Sequence, residues 1–233
     1  MDEQGQGTGK GGPPAQEETL VLAVSFEPPG ALRERVFGLD DAALRRVVAL
    51  ALEHAAIAEP VEVSLLLTTD AGIRALNRDY RGRDEATDVL SFPLLDEPLV
   101  DAPEDQLWQP AEHAGPMVAL DLDLDSAADA EYTTDLRDGE WDDEDGEDGV
   151  GEDAEPELLP LEELALPLGD IAISRDAVER QAAQAGHSTT WELAYLLAHG
   201  VLHLVGYDDQ TDAGYQAMVA HQEAVLARAG IQR

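Results

Sequence analysis

His199-Gly200-Val201-Leu202-His203-Leu204-Val205-Gly206-Tyr207-Asp208-Asp209 sets two imidazoles four residues apart and a carboxylate six further on, with a glycine between. Four residues is just over one helical turn, so His199 and His203 project from one face of a helix and can share a metal ion. Gly206 can end that helix in a left-handed conformation that a side chain resists, swinging Asp209 back toward the same point. Two nitrogens and one oxygen leave the fourth position of a tetrahedral zinc open, which is how catalytic zinc sites differ from closed structural ones. The competing interpretation is a hydrogen-bonded histidine pair in a core. Residues 193–205 are largely apolar, however, and an unpartnered imidazole is costly to bury among them. The motif therefore predicts a catalytic centre holding one divalent ion. The imidazole pair favours zinc, although nickel or another divalent ion fits the same ligands.

Working outward, Ser188 or Thr189 caps the metal-bearing helix, with Glu192 near its first turn. Upstream, residues 168–174 alternate as a strand and a helix runs from Asp176 to about Ala185. Downstream, an amphipathic helix starts at Thr211 or Asp212 and ends near Gly230. The N-terminal half reads as a strand over 19–26, a helix capped by Asp40 or Asp41 and reaching about Ala58, and an interior strand from Val61. A short helix capped by Thr69 or Asp70 follows, extending to about Asn77, and residues 87–92 form a strand stopped by Pro93. This order predicts an α+β domain, helices packed over a small mixed sheet.

The 233 residues suffice for one substantial core. With no cysteine there is neither a disulfide framework nor a thiolate metal site, and a reducing cytoplasm is the natural setting. Residues 1–18 are polar and glycine-rich, which predicts a disordered tail without the basic-then-apolar order of a secretion signal. No apolar stretch approaches the length of a bilayer span, so no membrane partner is expected.

The net charge of −36 argues against nucleic acid until it is mapped along the chain. Residues 96–166 carry 26 of the 50 acidic residues and one basic residue, Arg137. Low hydropathy and high charge predict a largely disordered insertion there, looped out of a domain built from 19–95 and 167–233. Its ordinary role is solvation, and contact with an unknown basic partner is the alternative. Elsewhere Arg74, Arg78, Arg81 and Arg83 fall within ten positions, a cluster able to bind phosphate because screening confines distant charge to a Debye length of about 8 Å.

Four blocks in order, Leu76-Asn77-x-x-Tyr80-Arg81, residues 87–93 (TDVLSFP), Leu168-Gly169-Asp170-Ile171 and the histidine motif, resemble the YbeY family of endoribonucleases. The family signature runs His-Gly-x-Leu-His-Leu-x-Gly-Tyr-Asp-His, and this chain follows it through Asp208, with Asp209 in place of the third histidine. The resemblance implies a zincin-like metal-bearing helix and a metal-dependent, single-strand-specific endoribonuclease. It also implies action in maturation of the 16S rRNA 3′ end and in ribosome quality control, with ribosomal RNA and the small ribosomal subunit as partners. It assigns His199, His203 and Asp209 as metal ligands and Arg81 as the catalytic arginine. Arg74, Arg78 and Arg83 are weaker candidates for RNA backbone contacts, and a salt bridge toward Asp84 or Asp88 is the structural alternative for Arg81. Aspartate at 209 is an accepted zinc ligand that adds one negative charge.

Other readings stay open at this point. Metzincin-like proteases share the histidine spacing but have a glutamate general base after the first histidine, where this chain has Gly200. A non-catalytic ribosome assembly factor with a structural metal is the non-enzymatic alternative. Asn77 and Asp88 read equally as loop-positioning or turn residues, and Ser91 could line a groove. His54, His113, His187 and His221 lack paired spacing and read as surface or capping residues, and Trp108 and Trp141 lie in the acidic segment with no assigned role.

Overall fold

Apolar residues alternate along β2 (Val61–Thr68): Val61, Val63, Leu65 and Leu67 enter the main core, while Leu66 enters a smaller cluster with Ile73, Leu90 and Ala172. Period-two alternation sends successive side chains to opposite faces, so both faces of this strand are covered. In this computed structural model, which describes residues 19–27, 36–109 and 165–233, β2 lies inside a four-stranded sheet of order β1-β2-β4-β3. β1 (Leu20–Phe26) and β4 (Leu166–Ser174) flank it in parallel, and β3 (Val89–Pro93) closes the far edge antiparallel to β4. The mixed sheet and the five α-helices among the described residues are the expected α+β architecture. The tail 1–18, residues 28–35 and residues 110–164, with His113 and Trp141, lie outside the described residues.

α1 (Asp41–His54) is capped by Asp40, whose carboxylate accepts from the Ala43 amide, and it ends four residues before the expected Ala58. Ala56 takes a positive φ of 59°, Ile57 N–H reaches back to the Leu52 carbonyl, and Ile57 is buried. A Schellman turn therefore stops the helix where burial of Ile57 outweighs one more turn. α2 (Asp70–Arg81) runs four residues past the expected Asn77 to Gly82, because Tyr80 packs edge-on against Phe92 of β3. Asn77 is buried and pins the following loop, its Nδ2 donating to the Glu85 carbonyl at 2.8 Å. Asp88 accepts from the Val89 amide and from Gln181 Nε2, both at 2.9 Å, so both residues are structural.

α3 (Arg175–Ala185) leads to α4 (Thr189–Val205), capped by Ser188, and to α5 (Asp212–Ala229), capped by Thr211. α4 is the central helix, walled by β3, β4, α1, α3 and α5. Its approach to the sheet depends on Gly200, where a Cβ would sit 2.8 Å from Ile171 Cγ2 of β4.

Two of the histidines expected at the surface or at helix caps pair with each other instead. His54 of α1 and His221 of α5, 167 residues apart, share a hydrogen bond of 2.8 Å between Nε2 and Nδ1, and Tyr207 lies against His221 at 4.6 Å. The His187 side chain is buried beside Glu192, at 3.1 Å, and Trp191. Burial pushes both members of the His54–His221 pair below the ordinary histidine range; Arg228 adds to this at His54, and His54 adds to it at His221. A depressed folded-state pKa means the unfolded chain binds more protons, so this stability is complete above about pH 6.5 and is lost as pH falls through the folded value. Urea unfolding at pH 7 and pH 5.5 is expected to show a steeper loss in the native protein than in His221→Gln. Equal losses in the two would contradict the assignment.

Candidate metal centre

From Trp191 to Tyr207 every residue is buried except Tyr195, His199 and His203. These stand four apart, so α4 keeps one stripe open to solvent and both imidazoles lie on it. Gly206 ends the helix with φ 128°, its amide bonded to the His203 carbonyl and the Tyr207 amide to the Leu202 carbonyl. A side chain at 206 would suffer that backbone and would also meet Pro98, 2.5 Å from the Cβ position. The turn returns Asp209 to the open stripe.

The His199 and His203 Nε2 atoms are 2.9 Å apart, and the Asp209 carboxylate oxygens lie 3.9 Å from His199 Nε2 and 3.8 Å from His203 Nε2. All three ligand atoms fall within 4.8 Å of one another, so the cluster could hold a metal ion. Nitrogens bound to a tetrahedral zinc at ~2.0–2.1 Å stand about 3.3 Å apart, and the triad meets that with shifts of about half an ångström. The donor chemistry agrees. His203 Nδ1 is 2.8 Å from the Tyr207 carbonyl, which can only accept, so Nδ1 carries the proton and Nε2 presents its lone pair to the cluster. Asp209 is the third member of this cluster, which could hold a metal ion.

Arg81 is the last residue of α2, and its Nη2 donates to the Ser91 carbonyl at 3.1 Å. Ser91 is buried and its Oγ donates to the Gly200 carbonyl at 3.4 Å, which links Arg81 to the turn of α4 that carries His199. Among the described residues Arg81 has no carboxylate partner, in contrast to Arg74 and Arg78. Arg74 forms a two-pronged pair with Asp84 at 2.8 Å on each prong, and Arg78 pairs with Asp79 at 2.7 Å. The Arg83 side chain makes no hydrogen bond or ion pair among the described residues, while its amide bonds to the Asn77 carbonyl. Partial burial, with a smaller contribution from Arg83, lowers the Arg81 pKa, yet a guanidinium starts so high that it stays charged at neutral pH.

Sequence reasoning missed Trp108. Residues 98–108, within the stretch expected to begin an insertion, contribute Val100 and Trp108 to the buried set, and the indole Nε1 donates to the His203 carbonyl at 2.9 Å. Acidic surroundings mask it, and no local periodicity marks it.

The family model "Endoribonuclease YbeY" matches residues 39–230. The chain belongs to the YbeY endoribonuclease family. The relative named Endoribonuclease YbeY in Moorella thermoacetica is 37% identical over 190 residues, covering 82% of this chain and 86% of that protein. The one in Desulforamulus reducens is 35% identical over 188 residues, covering 80% and 84%. A solution structure of a Thermotoga maritima protein is matched over 90% of this chain and 89% of its own, at 18% identity and a TM-score of 0.43. The YbeY match spans all four sequence blocks, and no helix among the described residues is long and apolar enough to cross a membrane.

Proposed function

We propose that this chain is a metal-dependent endoribonuclease that cleaves single-stranded RNA and acts on the 3′ end of 16S ribosomal RNA in the cytoplasm, with the small ribosomal subunit as its partner. Membership of a family whose curated relatives carry the name endoribonuclease supports the reaction class. The observation that carries the mechanism is the convergence of His199, His203 and Asp209 within 4.8 Å on an open stripe of a buried helix. The domain is one nuclease unit, with the acidic segment as an insertion between β3 and β4.

His199 Nε2, His203 Nε2 and an Asp209 oxygen would hold one divalent ion, with zinc suiting the donor set. Such an ion supplies Lewis acidity toward a phosphoryl oxygen and a nucleophile at neutral pH. The protein's own contribution is orientation and charge. The Tyr207 carbonyl holds the His203 ring in one tautomer, and the buried helix leaves a single face for substrate. Arg81, tied to Ser91 through one nitrogen, has further N–H groups to offer a phosphate, whose charge builds in the transition state. Arg83 is a candidate for backbone contact. Arg74 and Arg78 would have to exchange exposed carboxylate partners, which such pairs release at little cost.

A protease reading would need a general base after His199, and a side chain at Gly200 would strike Ile171. Elemental analysis of the purified protein, joined to cleavage of a structured ribosomal RNA fragment, tests the proposal. About one zinc per chain is expected, with cleavage lost on chelation and regained on adding zinc. Undiminished cleavage by metal-stripped protein would refute it.

A further inference from the structure

Residues 98–109 form a strap against the end of α4 and the loop that brings Asp209 to the histidines. Its backbone takes up the groups a helix end leaves unpaired: the Leu99 amide donates to the Val205 carbonyl at 2.9 Å and the Trp108 amide to the Gly206 carbonyl at 3.0 Å. In return the Asp208 amide donates to the Gln106 carbonyl at 2.9 Å, and the Thr211 hydroxyl donates to the Asp105 carbonyl. Leu107 and Tyr207 thus form an antiparallel bridge two residues before Asp209. The Trp108 side chain fixes the other half of the site, because its Nε1 bonds to the carbonyl of His203 itself and the residue is 1% exposed. One short segment therefore grips both the helix turn that carries His203 and the loop that carries Asp209.

We infer that Trp108 is a positioning residue of the metal centre, setting the separation of Asp209 from the two imidazoles through its indole bond to His203 and its backbone bond to Gly206. Three ligands from a helix and a turn converge only if the turn keeps one register on the helix end; bonds within residues 199–209 begin that register, with the Tyr207 amide on the Leu202 carbonyl and His203 Nδ1 on the Tyr207 carbonyl, and the strap holds it from outside. Outer partners of metal ligands typically account for 10–100-fold in affinity. Binding and positioning are also reciprocal, so an ion held by the triad must in turn steady the strap. The inference rests on the metal reading proposed above.

Two measurements on the full chain test it. Zinc affinity, by competition with a chromogenic chelator, is expected to fall about 10–100-fold in Trp108→Phe, which keeps a six-membered aromatic ring and loses the pyrrole half of the indole with its N–H donor. In the native protein, saturating zinc is expected to slow exchange of the Trp108 indole proton more than that of Trp191, at the other end of α4. If the native protein binds no zinc, the metal reading falls and this inference with it. If the native protein binds zinc but Trp108→Phe binds it equally well, or the two indoles slow equally, the metal reading stands and the positioning role is overturned. Should Trp108→Phe fail to fold, the exchange comparison decides alone.

Discussion

His203→Ala is expected to reduce RNA cleavage by about a thousandfold or more while leaving the chain folded. Lewis-acid stabilisation of a phosphoryl transition state contributes several kcal/mol, and each 1.36 kcal/mol is about tenfold in rate. The variant loses one of the two imidazoles proposed to hold the ion and leaves a two-point site. The structural cost is small by comparison. The His203 side chain is partly open to solvent, and its hydrogen bond to the Tyr207 carbonyl is worth about 1 kcal/mol. Thermal unfolding in the presence of chelator should therefore be close to that of the native protein. The same variant separates the two remaining readings of the metal. A catalytic ion predicts that cleavage vanishes while ribosome association persists. An assembly factor with a structural ion has no cleavage to lose, and full RNA cleavage by His203→Ala would contradict the proposed chemistry.

Arg81→Ala is expected to lower kcat by about 10²–10³-fold with a smaller change in KM, the usual effect of removing one donor that acts on transition-state charge. Arg81→Lys should recover only part of this, since an ammonium is a point charge and cannot present the guanidinium fork. Because Arg81 also donates to the Ser91 carbonyl, its loss could act through β3 alone. Added guanidinium ion distinguishes the two: it should restore part of kcat if the group meets phosphate, whereas a purely structural lesion would not respond. Arg74→Ala, which frees Asp84 on an exposed surface, should leave kcat nearly unchanged. An Arg81→Ala protein with native kcat would remove the arginine from the mechanism.

The pair His199 and His203 was legible because helical period turns spacing directly into a shared face, and Gly206 and Asp209 because a required positive φ marks where the chain reverses. The order of strands and helices was legible for the same reason: alternation in β2 and caps at Asp40, Thr69, Ser188 and Thr211 are local signals. Helix ends were less so. α1 stops early because Ile57 is buried, and α2 runs on because Tyr80 finds Phe92, and both reasons lie in packing. The arginine cluster was visible as composition, but that Arg74 and Arg78 are held by carboxylates while, among the described residues, Arg81 and Arg83 are not depends on Asp84 and Asp79 reaching the first two.

Read alone, the chain determined that two imidazoles and a carboxylate approach one point, since those residues lie within eleven positions and obey helix and turn geometry. Only the tertiary structure decided what holds that point still. Trp108 reaches His203 across 95 positions, and His54 reaches His221 across 167. Contacts between segments so far apart are selected by burial and complementary hydrogen bonding in the folded core, and they leave no period in the sequence.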